Sequence, residues 1–497
     1  MKKLLKYILV LVLMVFSSCE DILDLKPESS LGYTSFWDTE DGAKAAQVAL
    51  HANFKNFQYK NWFLGEVRSD IWGGATVQAP NDLAMIEHDI TITNIPASVQ
   101  SWAGFYSYLH VVNDIIKNAP NVTYANESDK FYILGQAYGF RAYIYYILLK
   151  TWGDVPLVLE PTVVIDFENI YIARTPASEV MVQIKKDIQS SLDNFADNNT
   201  FQSSSKVYWS KAASLTLKGD VYIWAGTHLE GGATDYTTAK QALQAVIDMG
   251  TLDLLPNFSD VFNYSKKNNK EIIFALSYAI DQGENAYSNF VGNTTSLASY
   301  YMRNGTPMST LILDGENRYG PSNELLSKWT DFTDSRNDAT LRRIYSNNDA
   351  SGYLTSVLAK FNGTISSGEQ LMVDDVPIYR YADVLLLLAE AKNLLEEDPS
   401  PEINKLRQRA YGSNYPGHEY SNSTKEVNTE AILDERLYEF IGEGKRWFDL
   451  RRAGDEWVFK YIKFLEPTTD SYKLLLPVTR EMISRNPLLT QTPGYIY

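Results

Sequence analysis

Residues 129–151, DKFYILGQAYGFRAYIYYILLKT, set apolar side chains three and four positions apart along their whole length. That spacing draws one apolar stripe down an α-helix. Residues 38–57 repeat it with Ala43, Ala46, Ala49, Leu50 and Phe54, behind Asp38 or Thr39 as N-cap. Further helices are predicted at about 207–227, 236–249 and 379–396, and a last pair begins near Glu430. Ala239, Ala242 and Ala245 keep one of these faces small, and Gly250 closes that helix. Helices of this kind can bury their stripes only against one another, so the fold is expected to be mainly α.

Phe131, Leu134, Gly135 and Tyr138 follow the W-x2-L-G-x2-Y spacing of a tetratricopeptide helix, with Phe in place of Trp. Glycine at 135 lets a neighbouring helix come close. The intervals between helix pairs vary too much for a regular repeat, which makes this a degenerate helical superhelix with long insertions. The insertions, 58–128, 251–330 and 344–376, are rich in Gly, Asn, Ser, Thr and rings, and binding groups are expected there. EIIFALSY, 271–278, reads as a strand, so minor β structure is expected near the middle.

The first residues read as an export signal: Lys2, Lys3 and Lys6 precede an apolar run, Tyr7–Phe16, too short to span a bilayer. Ser17, Ser18 and Cys19 follow. Cys19 is the only cysteine, so no intramolecular disulfide can form, and its position is that of a lipidated residue. Acyl chains on Cys19 would tether the chain to a membrane. Cleavage after residue 18 removes three of the 45 basic residues, which leaves 42 against 61 acids, a net charge of −19. No run of Lys or Arg forms a basic face, so nucleic acid is not an expected partner.

Catalytic constellations are missing from the sequence. HExxH, GxSxG and dinucleotide-binding glycines do not occur, and Gly442-Glu443-Gly444-Lys445 lacks the spacing of a phosphate loop. The five histidines have no metal-ligand spacing, and neither a metal nor a cofactor is implied. Asp374-Asp375 and Glu396-Glu397 are adjacent acids of the sort found on solvated faces. A binding protein is expected, not an enzyme.

Several stretches resemble one family. FRAYIYYILLKTWGDVPLV (140–158), PIYRYADVLLLLAEA (377–391) and ERLYEFIGEGKRWFDLRR (435–452) are similar, in this order, to signature segments of the SusD/RagB outer-membrane lipoproteins of Bacteroides-type bacteria. CEDILDLKPES near the start and LLLPVTREMISRNPLLTQTPGY at the end extend the likeness over almost the whole mature chain. Read from the residues alone, the charges from Arg436 through Glu439, Glu443, Arg446 and Asp449 to Arg451 fall three or four apart, which predicts ion pairs along one helix. The resemblance implies a leader at 1–18 and a single SusD-like fold at 19–497. Within it, an N-terminal region reaches to about 230 and a C-terminal region starts at about 260, with about four tetratricopeptide-like helix pairs beside a loop-rich region. Ligand-binding insertions are placed at about 58–128 and 251–376.

What the resemblance implies in function is capture of an oligosaccharide at the cell surface, as the lid of a SusC-like TonB-dependent transporter in the outer membrane. A peptide-binding lid and a helical-repeat scaffold are the alternatives. Sugars need a ring against their C–H face and polar groups for their hydroxyls. The segment RSDIWGGATVQAPND, 68–82, supplies Asp70, Trp72 and Asn81, while the central insertion supplies Tyr287, Tyr301, Arg303 and Trp329. These seven are the candidate ligand contacts; the alternative use of the first loop makes Trp72 a packing anchor and Arg68–Asp70 a local ion pair.

Overall fold

A computed structural model describes residues 33–73, 80–162 and 170–496; Cys19 and the side chain of Asn81 lie outside the described residues. Four helix pairs form the scaffold. The first joins α1 (Glu40–Phe54) to α2 (Ala103–Asn118), and the second joins α3 (Glu127–Trp152) to α4 (Ala177–Phe195). The third is α5 (Lys211–His228) with α6 (Gly232–Asp248), and the fourth is α7 (Tyr381–Leu394) with α8 (Ser400–Tyr411). Helix α9 (Lys425–Phe440) also packs on α7 and is followed by α10 (Arg446–Ala453). Contact between α6 and α7 carries the superhelix across the central insertion.

Local chemistry sets the ends of these helices. Thr39 caps α1 by accepting the Gly42 N–H at 3.1 Å, and Asn126 caps α3 by accepting the Ser128 N–H at 3.1 Å. Helix α3 stops at Gly153, whose φ of 73° disfavours side-chain-bearing residues. Arg174 then bonds the exposed carbonyls of Trp152 and Asp154, each at 2.7 Å. Every residue is buried from Gly139 to Trp152 of α3 and from Tyr381 to Ala391 of α7, so these two helices are surrounded on all sides. Gly139 shows why: a Cβ there would lie 2.2 Å from Trp209 Nε1, so only glycine lets the indole rest on the helix.

Among the described residues, seven strands make three small sheets. β1 (Ile272–Leu276) pairs antiparallel with β7 (Val376–Arg380). β2 (Tyr301–Met302), β3 (Leu341–Tyr345) and β4 (Tyr353–Leu358) form an antiparallel sheet, and β5 (Thr364–Ser366) with β6 (Glu369–Leu371) makes a hairpin. One apolar core runs through both halves, and a satellite of Leu297, Met308, Leu313, Ile344 and Val357 lies under the three-stranded sheet.

The charged segment corrects one expectation. Positive φ at Gly442 and Gly444 separates α9 from α10, so the charges do not line a single helix. They pair mostly across elements instead: Arg380 on β7 meets Glu439 at 2.6 Å and Glu443 at 2.9 Å, and Arg436 meets Asp449 at 2.7 Å. Two pairs stay one turn apart: Arg451 with Asp455 at 2.7 Å and Asp449 with Arg452 at 2.9 Å. The insertion 58–128 also proves part scaffold, because it holds α2.

Candidate functional site

The loop before residue 74 is zipped to a second insertion. Gly73 donates its N–H to Gly320 O at 3.2 Å, Ser322 N–H reaches Ile71 O at 2.6 Å, and Ser322 Oγ donates to Asp70 O at 2.6 Å. These bonds hold Ser69–Gly73 beside the short helix Asn323–Lys328. A groove of about 240 Å³ lies against that seam. Its walls are Ser69–Gly73 with Leu83, Ile86 and Glu87 on one side, Ser322 and Glu324 on another, and Tyr461–Phe464 on the third.

Phe464 stands 54% exposed, and Leu83 and Glu87 are also open to solvent. Tyr461 is half-buried: its hydroxyl donates to Glu430 at 3.2 Å, and the Arg446 guanidinium lies 4.9 Å from its ring centre. Lys463 pairs with Glu324 at the rim. Apolar ring surface, hydroxyls and charged rim groups therefore meet in one concavity.

Asp70 lines this groove, but Arg446 takes both its oxygens at 2.8 Å. The bidentate pair, with Arg446 also donating to Leu433 O at 2.7 Å, ties the groove wall to α10. Burial disfavours the charged Arg446 guanidinium, but the Asp70 carboxylate beside it outweighs that and holds its pKa above the ordinary arginine value. The anticipated Arg68–Asp70 pair does not form. Arg68 lies 4.2 Å from the Trp447 ring centre and donates to Lys473 O; burial pushes its guanidinium down to about 10.

Three of the candidate rings are core residues, which corrects their expected role as sugar platforms. Trp72 is 2% exposed; Trp62, Phe290 and Tyr319 pack on its ring, and its indole N–H donates to Glu66 at 3.0 Å. Glu66 is a buried carboxyl pushed up to about 7 by desolvation, although Gly442 and Gly444 N–H groups also donate to it at 2.8 and 2.7 Å. Tyr287, 1% exposed, stacks on Phe361 at 3.8 Å and donates to Gly442 O. Trp329, 2% exposed, stacks on Tyr438 at 5.0 Å. Rings covered in this way have no free face for a ligand.

Tyr301 and Arg303 lie elsewhere, on and just after β2. Arg303 pairs with the Asp338 carboxylate, and its guanidinium sits 4.0 Å from the Phe332 ring centre. The structure thus brings Asp70 to the groove and Tyr301 with Arg303 to the small sheet. Leu83, Tyr461, Lys463 and Phe464 went unrecognised as groove residues. Their one signal is YIKF, 461–464, two rings three apart just past the RWFDL segment.

The adjacent acids are parted from the groove. Asp374 is buried and accepts the Gly363 N–H, with its carboxyl pushed up to about 6 by burial; Asp375 pairs with Lys267 at 2.9 Å, and Glu397 with Lys240 at 2.5 Å. Among the described residues no three His, Cys, Asp or Glu side chains could hold a metal together.

The sequence model of the SusD family matches residues 249–495. Among solved structures, a SusD superfamily protein of Bacteroides vulgatus ATCC 8482 is 35% identical, with a TM-score of 0.84 over 93% of this chain and 100% of that chain. The chain belongs to the SusD family. B. fragilis NanU is similar to the same degree, 35% identical with a TM-score of 0.85 over 95% of this chain and 100% of that chain. SusD-like protein P38 of Formosa agariphila is 26% identical with 98% of each chain covered. A second sequence model, described as starch-binding associating with the outer membrane, matches residues 21–222. In SusD terms, the groove therefore lies where the two matched regions meet: Ser69, Asp70, Trp72, Gly73, Leu83, Ile86 and Glu87 fall in residues 21–222, and Ser322, Glu324 and Tyr461–Phe464 in residues 249–495.

Proposed function

We propose that this SusD-family chain is a cell-surface lipoprotein, held in the outer membrane by acyl chains on Cys19, that binds oligosaccharide and serves as the lid of a SusC-like TonB-dependent transporter. The observation that carries the binding half is the groove, where Phe464 and Tyr461 offer ring surface beside the Ser69 and Ser322 hydroxyls and the Lys463–Glu324 pair. One ring covering roughly 100 Å² of sugar C–H surface contributes at most about 2.5 kcal/mol, and association costs offset much of it. A groove with two rings suits weak, reversible capture, which a lid that must hand its cargo on requires.

Binding without hydrolysis is favoured by the state of the groove carboxylates. Cleaving a glycosidic bond takes two carboxyl groups free to act as acid and base or nucleophile. Asp70 is committed to Arg446 and Glu324 to Lys463, so Glu87 is the one groove carboxylate with no ion pair among the described residues. The family description of starch binding at the outer membrane supports the saccharide class and the location.

Titration calorimetry of residues 20–497 against starch, mucin-type and plant cell-wall oligosaccharides, with a peptide set alongside, tests the reading. Saccharide binding that weakens in Phe464→Ala supports it, and binding of peptides alone overturns it. Co-purification of a SusC-like transporter with this chain from its native outer membrane tests the lid role; failure to co-purify from mild detergent counts against it.

A further inference from the structure

The three-stranded sheet has one face with no assigned role. Its inner face carries Met302, Ile344 and Val357 onto the satellite core. Side chains alternate along a strand and directly paired residues share a face, so Tyr301, Tyr345 and Tyr353 stand together on the opposite side. Tyr301 pairs with Tyr345, and Tyr345 with Tyr353, whose rings meet edge to face at 5.8 Å. Arg343 and Ser356 form the next rung on that face, and the Tyr353 hydroxyl lies 2.9 Å from Ser356 Oγ.

One guanidinium borders the surface and a second, buried, lies behind it. Arg303 and Arg343 lie 4.0 and 4.8 Å from the ring centre of Phe332. Asp338 pairs with Arg303, while Arg343 bonds Asn337 Oδ1 and Trp329 O, at 2.9 Å for the latter, and has no carboxylate partner among the described residues. The cluster thus has two cations and one anion, against a chain whose net charge is −16.

We infer that this outer face of β2–β4 is a second saccharide-contact surface, distinct from the groove and built for a stretch of two sugar units. Neighbouring strands are about 4.8 Å apart, so Tyr301 and Tyr353 on the outer strands are separated by about 10 Å, the span of two linked pyranose rings. Tyr353 is 42% exposed and Tyr301 half-buried, so each keeps part of a ring free, while Tyr345 between them is nearly covered. The Arg303 guanidinium and the Tyr301 and Tyr353 phenols present donors to sugar hydroxyls, while the buried Arg343 braces the sheet behind them. A protein partner fits less well: Leu354 is the one exposed large aliphatic residue of these three strands, and the adjoining turn is Ser346-Asn347-Asn348-Asp349.

This inference rests on the saccharide reading of the groove, and one experiment separates their failures. The chain 20–497 is titrated with the same oligosaccharide panel as wild type, as Phe464→Ala, and as the double variant Tyr301→Ala/Tyr353→Ala, with melting temperatures measured for all three. For a panel member that binds wild type, the expected stoichiometry is two, with one of the two sites weakened roughly tenfold in Phe464→Ala and the other lost in the double variant, whose melting temperature is unchanged. The same stoichiometry and affinity in the double variant as in wild type overturns the second surface and leaves the groove standing. Loss of binding in neither variant overturns both. Absence of any saccharide binding to wild type overturns the groove reading and this one with it. Should the double variant melt early, Tyr353→Phe and Tyr301→Phe, which keep the rings, must restore two sites if the surface acts through ring contact.

Discussion

Replacing Trp72 by alanine separates packing from recognition, because the residue lines the groove while its ring is almost wholly covered. Truncating a buried Trp costs about 3–5 kcal/mol through lost transfer energy and the cavity left behind. The substitution also removes the indole N–H that reaches Glu66 at 3.0 Å, a bond to a buried carboxyl worth about 1–3 kcal/mol. Glu66 keeps the Gly442 and Gly444 N–H groups, which places the total nearer about 5 kcal/mol than the sum of the extremes. With an unfolding entropy of about 2.1 cal/mol/K per residue, a chain of this length loses roughly 5 °C of melting temperature. Differential scanning calorimetry and saccharide titration on the same sample give the answer. A melting temperature within about 1 °C of wild type, together with lost affinity, would refute the buried placement of the ring.

Other outcomes follow from the same contacts. Asp70→Asn leaves the buried Arg446 without its counter-charge and is expected to destabilise by about 3–5 kcal/mol, read by urea denaturation. His51 accepts the Trp209 N–H on Nε2 at 3.2 Å and faces Gln47 O through Nδ1 at 2.9 Å, so the fold wants the neutral ring; burial pushes its pKa down to about 4. Its contribution to stability is therefore complete above the unfolded value near 6.5 and is lost as pH falls from there through 4, and His51→Asn should make the acid limb of a stability–pH curve less steep. Cys19→Ser should move the chain from the membrane to the soluble fraction without changing the melting temperature of the folded part; membrane retention would count against acylation as the anchor.

The helical frame was largely readable because it is written in periodic spacing. The stretch 129–151 lies within α3, the strand EIIFALSY contains β1, and Gly135 does admit a neighbour, with the Phe195 ring placed where a Cβ would be 3.0 Å away. Helices α2, α4 and α8 were not read. For α2, AGFYSYLHVVNDIIKN sits between segments dense in Trp, Asn and Ser, and the insertion was read as loop throughout. The ligand surface was harder to see. Rings in loops such as Trp72, Tyr287 and Trp329 can bind sugars, yet they equally anchor those loops to a core, and the residue type is the same in both cases. Asp70 lines the groove, but its partner Arg446 lies 376 positions away, beyond any local pattern. Phe464 escaped notice because it follows a motif with a structural role.

The central claim is that a SusD-family scaffold presents the Phe464 groove to a saccharide. The most direct measurement is titration of Phe464→Ala and wild type with an oligosaccharide that binds the wild-type chain. Removing about half a ring of contact is expected to cost about 1–2 kcal/mol, a roughly tenfold weaker affinity, with the melting temperature unchanged because the ring is 54% exposed. Equal affinities for the two proteins would contradict the placement of the site.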